Sequence, residues 1–127
     1  MDRVEKALST FHKAPYKYNC AQAVCHAFSD VSGITPETME EYKAYGGGRA
    51  SLGRCGALYG ALTHVRDCQT RQKFTKDFVE VCKYPQCKLI KGKAKIPCET
   101  CIATAVKMLE GELEEKGFIH KPVSFDF

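Results

Sequence analysis

Apolar residues recur every three or four positions along most of this chain, and this spacing is the feature that most limits its fold. Near the start, one helical face would collect Val4, Ala7, Leu8 and Phe11. No stretch sustains the two-residue alternation that is typical of a half-buried β-strand. The pattern therefore predicts an all-α protein, folded as a compact single-domain bundle of five or six helices over residues 1–127.

Capping residues, prolines and glycines predict where the helices begin and end. Asn19 and Thr35 are expected N-caps, and Pro15 is expected to end the first helix. The predicted helices cover residues 2–13, 20–31, 36–45, 55–67, 70–83 and 97–116. A lysine-rich loop is predicted between the last two helices, over 84–96.

Length, charge and hydropathy exclude several classes of protein. A chain of 127 residues can bury one stable core. Its net charge of +4 is short of the strongly basic balance of nucleic-acid-binding domains, so no nucleic-acid partner is expected. No apolar run approaches the roughly 20 residues that span a bilayer, and the first residues lack a signal-peptide core. We therefore expect a cytoplasmic protein that does not span a membrane.

The unusual part of the composition is its eight cysteines. Without an export signal, a cysteine-rich chain favours redox chemistry or metal binding over a framework of structural disulfides. Any one of these thiols could instead be a small buried apolar side chain, which is a common position for free cysteine. For all eight together, we expect that some take part in chemistry.

Cys55 has the most informative surroundings. It follows a glycine-rich segment, GGGRASLGR, and precedes a predicted helix. The unpaired amides of a helix N-terminus, together with Arg49 and Arg54, would favour its thiolate. We therefore expect Cys55 to be the most reactive thiol. The alternative is that the glycines only turn the chain and that Cys55 packs inward.

The other cysteines differ in their local settings. Cys20 also lies at a predicted helix start, and Cys87 lies among lysines. Cys98 and Cys101 form a CxxC step whose thiols would face one side of the last helix, close enough for a disulfide or a shared metal. A thioredoxin site would need a preceding strand, which is absent from the pattern. Cys25 is expected to be structural.

Two glycines within the predicted helix after Cys55 indicate close packing. Gly56 and Gly60 lie four residues apart and share a face, although each costs up to about 1 kcal/mol relative to alanine in a helix. We expect this face to meet another helix or the cysteine site too closely for side chains.

Several segments together resemble a known family. They are YNCAQAV, the glycine run, CGALYGAL and two later cysteines before a terminal helix, and they occur in that order over about residues 15–112. This part of the chain resembles the C-GCAxxG-C-C family of small bacterial and archaeal proteins, which are described as redox-active. By this resemblance, the family's four cysteines fall on Cys20, Cys55, Cys87 and Cys98, with Cys101 as an alternative to the last, and Gly56, Ala57 and Gly60 complete CGAxxG.

The resemblance implies a protein that works through clustered cysteines, by thiol–disulfide exchange or electron transfer, with an unidentified redox partner. It could then be a thiol–disulfide oxidoreductase. The alternative is an iron–sulfur cluster or zinc bound by the same four thiolates, since split-Soret cytochromes contain a similar module that holds an iron–sulfur cluster. A third alternative is an adaptor whose cysteines are only core. In either chemical case the sulfurs of Cys20, Cys55, Cys87 and Cys98 should converge.

Overall fold

The computed structural model of the protein describes residues 2–32, 35–45 and 53–117. Its α-helices are α1 (Arg3–Leu8), α2 (Cys20–Ala27), α3 (Ser29–Ser32), α4 (Pro36–Glu41), α5 (Gly56–Leu62), α6 (Cys68–Cys82), α7 (Cys87–Leu89) and α8 (Cys98–Glu115). A 3-10 turn follows α4 at Tyr42–Tyr45, and a π turn follows α7 at Ile90–Ala94. Within these ranges there is no sheet, only two isolated bridges. The prediction of an all-α fold is confirmed.

The predicted N-caps are present because their side chains accept the amides that a helix start leaves unpaired. The Asn19 side chain accepts a hydrogen bond from the amide of Gln22 at 2.9 Å, and the Gln22 side chain accepts one from the Asn19 amide at 3.1 Å. The Thr35 hydroxyl accepts one from the amide of Thr38 at 3.2 Å. These contacts fix where α2 and α4 begin.

Two predicted helices are shorter than their apolar patterns indicate, because hydrogen bonds stop them earlier. α1 ends at Leu8 rather than residue 13, and the Thr10 hydroxyl donates back to the carbonyl of Ala7 at 3.0 Å. α5 ends at Leu62 rather than residue 67. There the Arg71 guanidinium, reaching over from α6, donates to the carbonyls of Leu62 and Val65.

Three other boundaries also differ from the prediction. The helix predicted for 20–31 divides at Phe28, where the backbone leaves the helical region (φ −113°, ψ 17°). α6 begins two residues early because the Asp67 carboxylate accepts the amide of Thr70 at 2.8 Å. The segment predicted as a loop over 84–96 contains α7 and the π turn.

The core lies between α1, α2, α5, α6 and α8, and the closest approach is between α2 and α5. A Cβ placed on Gly60 would lie 2.9 Å from the carbonyl oxygen of Ala21. The expected close packing is therefore confirmed for Gly60, and Gly56 is buried. Phe78 and Leu109 bring α6 and α8 into the same core. None of the helices in the described ranges is both long and apolar enough to cross a membrane.

Candidate functional site

Besides Cys68, which begins α6, four cysteines lie at helix starts. Cys20, Cys87 and Cys98 are the first residues of α2, α7 and α8, and Cys55 directly precedes α5. The Cys55 amide donates to the carbonyl of Pro85 at 2.7 Å, which holds the start of α5 beside the segment that leads into α7. Cys87, expected in a loop, is therefore at a helix start like the other three.

The thiols of Cys20, Cys55, Cys82 and Cys101 form a cluster, which we call the thiol cluster. Cys55 interacts most strongly with Cys101 and Cys20, and Cys101 interacts most strongly with Cys55 and Cys82. Two further thiols border the cluster, because Cys20 interacts electrostatically with Cys98 and Cys87. Of the four cysteines named from the sequence, Cys20 and Cys55 belong to the cluster, and Cys87 and Cys98 border it. Cys101, the alternative to Cys98, also belongs to the cluster, and Cys82 is the member that the structure adds.

The thiol cluster is closed to solvent, whereas its border is partly open. The exposed fractions are 5% for Cys20, 4% for Cys55, 2% for Cys101 and 0% for Cys82. Cys87 is also buried, but Cys98 is only half-buried. The ammonium of Lys91 interacts most strongly with Cys98 and more weakly with Cys87 and Cys20. Lys91 is the cation that faces this border.

The surroundings of Cys55 favour its thiolate. Hydrogen bonds from the thiols of Cys101 and Cys20 are the main reasons that its pKa lies well below its usual range, and they outweigh burial, which acts in the opposite direction. The amides of Ala57 and Leu58, in the first turn of α5, contribute in the same direction. The neighbouring thiols therefore lower the pKa of Cys55 more than the helix end does. The sequence analysis had attributed this effect to the helix end and two arginines.

Beside Cys55, the pKa values of Cys20 and Cys101 are raised, whereas that of Cys82 is lowered. Hydrogen bonding to Cys55 is the leading cause that raises the pKa of Cys20 and of Cys101. Cys101 also lowers the pKa of Cys82 by a hydrogen bond, while a charged Cys55 raises it. A thiol carries one proton, so Cys101 can donate to only one of them at a time. Because Cys55 also receives a bond from Cys20, the single negative charge belongs on Cys55.

Of the two arginines expected to support Cys55, Arg54 lies at a surface cavity instead. The Arg54 backbone bridges to Gln86, and its side chain lines a surface cavity of about 430 Å³ together with Cys68 and Gln72. Arg49 and the glycine run lie outside the described residues. Cys55 is only 4% exposed, and its expected reactivity stays a prediction.

Two cysteines lie apart from the cluster. Cys25 is fully buried, its thiol donates to the carbonyl of Gly60 at 3.9 Å, and burial raises its pKa to about 12. These contacts agree with the structural role expected for it. Cys68 is exposed at the start of α6, where Gln72 donates to its sulfur at 3.9 Å.

The thiols suit a metal in their chemistry but not in their placement. Thiolates are the ligands that zinc and iron–sulfur clusters prefer. Over residues 2–32, 35–45 and 53–117, however, no three side chains among His, Cys, Asp and Glu are arranged so that they could hold a metal ion. The thiols instead meet in successive pairs, from Cys20 to Cys55 to Cys101 to Cys82. This placement suits bonds between sulfurs.

Cys82 was missed by the sequence analysis, although a signal for it exists. Phe74, Phe78 and Cys82 follow one another at four-residue spacing, so the buried face of α6 ends with a thiol. Cys101 is likewise followed on the buried side of α8 by Ile102 and Ala105. In both helices, continuing the apolar face would have directed the thiol toward the core.

Comparison with protein-family models, with curated proteins and with solved structures found no match to this chain. The resemblance to the C-GCAxxG-C-C family therefore rests on the motifs quoted from the sequence. The functional argument below depends on the contacts within the thiol cluster and at its border.

Proposed function

We propose that this chain is a thiol–disulfide redox protein that stores an electron pair in its thiol cluster, with Cys55 as the central sulfur. The observation that supports it is the position of Cys55 between two thiols, Cys20 and Cys101, which hold its pKa well below its usual range. A thiolate in contact with a second thiol is the arrangement from which a disulfide forms.

The proposed reaction couples one disulfide to another. A disulfide substrate, R–S–S–R, accepts two electrons and two protons and leaves as two thiols. In exchange, two cysteines of the protein lose two protons and two electrons and become one disulfide. Cys55 can pair with Cys20 or with Cys101, the two thiols that it contacts. Because the exchange is reversible, a dithiol partner can return the electrons.

This function suits the setting expected from the sequence. In a cytoplasmic protein, the cellular thiol pool would restore the reduced state after each exchange. The redox partner is then a thiol or disulfide compound or protein. With such a partner, the protein would act as a thiol–disulfide oxidoreductase.

The test is to purify the protein anaerobically, count its thiols, and count them again after incubation with an excess of a small neutral disulfide. Peptide mapping by mass spectrometry then identifies the pair that has formed. We expect the loss of two thiols and a linkage between Cys55 and Cys20 or Cys101. Cys55→Ser should abolish this linkage. Cys25→Ser is the matched control, because Cys25 is equally buried but donates to a carbonyl instead of a thiol.

Two results would count against the proposal. One is an unchanged thiol number in folded wild-type protein after incubation with the disulfide. The other is protein that is purified with stoichiometric zinc or with iron and sulfide, and that loses its helical signal when the metal is removed. The second result would favour the metal-binding alternative. Circular dichroism of each variant separates a lost linkage from a lost fold.

A further inference from the structure

The thiol cluster has a border that a substrate can reach, and Cys98 is its most accessible sulfur. The four cysteines of the cluster are at most 5% exposed, and Cys87 is buried as well. A disulfide dissolved in water cannot reach a sulfur at that depth without opening the fold. Cys98 is half-buried and interacts electrostatically with Cys20 and Cys87. Exchange with an outside molecule is therefore easiest at Cys98.

The segment that leads to Cys98 is rich in lysine. Among these lysines, the ammonium of Lys91 interacts with Cys98 more strongly than with any other group. Residues 81–98 contain no aspartate or glutamate, and their five lysines are Lys83, Lys88, Lys91, Lys93 and Lys95. All five are exposed. Glu99, which is also exposed, is the acid that follows Cys98 in the chain. Lysines thus outnumber acids in the chain segment that leads to the one accessible thiol of the site.

We propose that Cys98 is the thiol at which the protein exchanges with its disulfide substrate, and that Lys91 selects substrates that carry carboxylates beside the disulfide. This inference rests on the proposed redox function and names the substrate class. The class includes small disulfides with free carboxylates and disulfides within acidic peptide segments. Both present a negative charge within a few bonds of the sulfur, where the ammonium of Lys91 can meet it.

The exchange at Cys98 takes place in two balanced steps. In the first, the Cys98 sulfur loses its proton to solvent and bonds to one sulfur of R–S–S–R. The substrate's S–S bond breaks, and the second sulfur leaves with the electron pair and takes up a proton. In the second step, Cys20 gives up its proton and attacks the Cys98 sulfur, and the remaining RS⁻ leaves and is protonated. The substrate has then become two thiols. The Cys55 thiolate next attacks the Cys20 sulfur of the Cys98–Cys20 disulfide, and Cys98 leaves as a thiolate that takes up a proton, so that the disulfide passes to Cys55 and Cys20.

Charge should affect the rate of the first step. An ammonium at the attacked site attracts an anionic disulfide and repels a cationic one, and salt screens both effects. We expect a dianionic disulfide to react about tenfold faster than a neutral one of the same size at low salt, and a dicationic one to react more slowly. At high salt the three rates should converge.

The experiment uses three disulfides of similar size and different charge: 3,3′-dithiodipropionate, 2-hydroxyethyl disulfide and cystamine. The full chain is reduced, freed of reductant and mixed with each compound at low and at high salt. Samples are quenched with acid over time and mapped by mass spectrometry. The first mixed disulfide should be on Cys98, and it should form fastest with the dianion. Cys98→Ser should prevent rapid reaction of the cluster.

Lys91→Gln should remove most of the preference for the dianion without slowing the neutral compound. The matched control is Lys107→Gln, since Lys107 is an exposed lysine on α8 away from the thiols. It changes the net charge equally and should keep the preference. Circular dichroism and urea unfolding of all three variants verify that they remain folded.

The outcomes separate this inference from the function on which it rests. If an internal disulfide forms but its rate ignores substrate charge, or if Lys107→Gln lowers the preference as much as Lys91→Gln, the selection by Lys91 is wrong. If the first adduct maps elsewhere, for example to exposed Cys68, the role of Cys98 is wrong. If Cys98 reacts in the expected charge order but no internal disulfide follows, the inference stands and the proposed redox function fails.

Discussion

Replacing Gly60 by alanine should weaken the contact between α2 and α5 that brings Cys20 to Cys55. The new Cβ would lie 2.9 Å from the carbonyl oxygen and 3.3 Å from the Cα of Ala21. Both atoms belong to the backbone of α2, so neither can turn away as a side-chain end would. One helix must shift relative to the other, and overpacking of this kind costs about 1–3 kcal/mol.

A second glycine allows this steric effect to be isolated. Alanine is favoured over glycine inside a helix by about 1 kcal/mol, so Gly60→Ala also gains stability. Gly111 of α8 has nothing within 4 Å of its hypothetical Cβ. Gly111→Ala should therefore gain about 1 kcal/mol without any clash. The propensity gain cancels between the two variants, and their difference in unfolding free energy should equal the steric cost of about 1–3 kcal/mol.

Urea unfolding followed by circular dichroism measures both free energies. We expect Gly111→Ala to be more stable than the wild type and Gly60→Ala to be less stable than Gly111→Ala by at least about 1 kcal/mol. Gly60→Val, with its larger side chain, should be the least stable of all. If Gly60→Ala and Gly111→Ala were equally stable, the close approach at Ala21 would not exist in solution, and the placement of Cys20 beside Cys55 would lose its support.

Two further substitutions test the local structure by urea unfolding. Asn19→Ala should cost about 2 kcal/mol of unfolding free energy, because it removes the cap of α2 and the hydrogen bonds that the side-chain amide of Asn19 donates to the carbonyls of Tyr42 and Lys43. Asn19→Ser keeps a cap oxygen and should cost about half as much. Lys83 directly follows α6 and has φ 76°, so Lys83→Gly should raise the free energy of unfolding by up to about 1 kcal/mol. Lys76→Gly, inside α6, should lower it by about 1 kcal/mol. If both variants changed stability in the same direction, the backbone strain at Lys83 would be contradicted.

The sequence analysis succeeded where structure depends on neighbours along the chain. The caps at Asn19 and Thr35 were predictable because a capping side chain bonds to an amide a few residues ahead. The end of α5 was not predictable, because it depends on Arg71 of another helix. The apolar pattern continues beyond the end of α5, because Val65 is buried although it is not helical.

The same distinction applies to the site. Cys55 could be chosen from its sequence because the glycines, the helix start and the cysteine are contiguous. Its strongest partners, Cys101 and Cys20, are distant in the chain and lie on other helices, so only the packed fold could identify them. The lysines around Cys87 were visible in the sequence, but the interaction of Lys91 with Cys98 was not, because it depends on α7 and the π turn that replace the predicted loop.

Cys25 should make the protein less stable in alkali. Burial raises the pKa of its thiol from an ordinary value of 9.0 to about 12. Below the unfolded-state pKa, both states carry the proton and the group has no effect on stability. Above it, the unfolded chain ionises while the folded one stays protonated, so the free energy of unfolding falls as the pH rises.

The expected slope is about 1.4 kcal/mol per pH unit, and it applies from about pH 9 until the folded-state pKa near 12 is reached. Cys25→Ala should remove this slope, so that its stability relative to the wild type rises with pH by that amount. Cys68→Ala is the control, because it removes a cysteine from an exposed position instead of a buried one. Lysines and tyrosines titrate equally in all three proteins and cancel in the comparison. If Cys25→Ala also runs parallel to the wild type in urea unfolding up to about pH 10, then water reaches Cys25 and the tight packing of α2 against Gly60 is wrong.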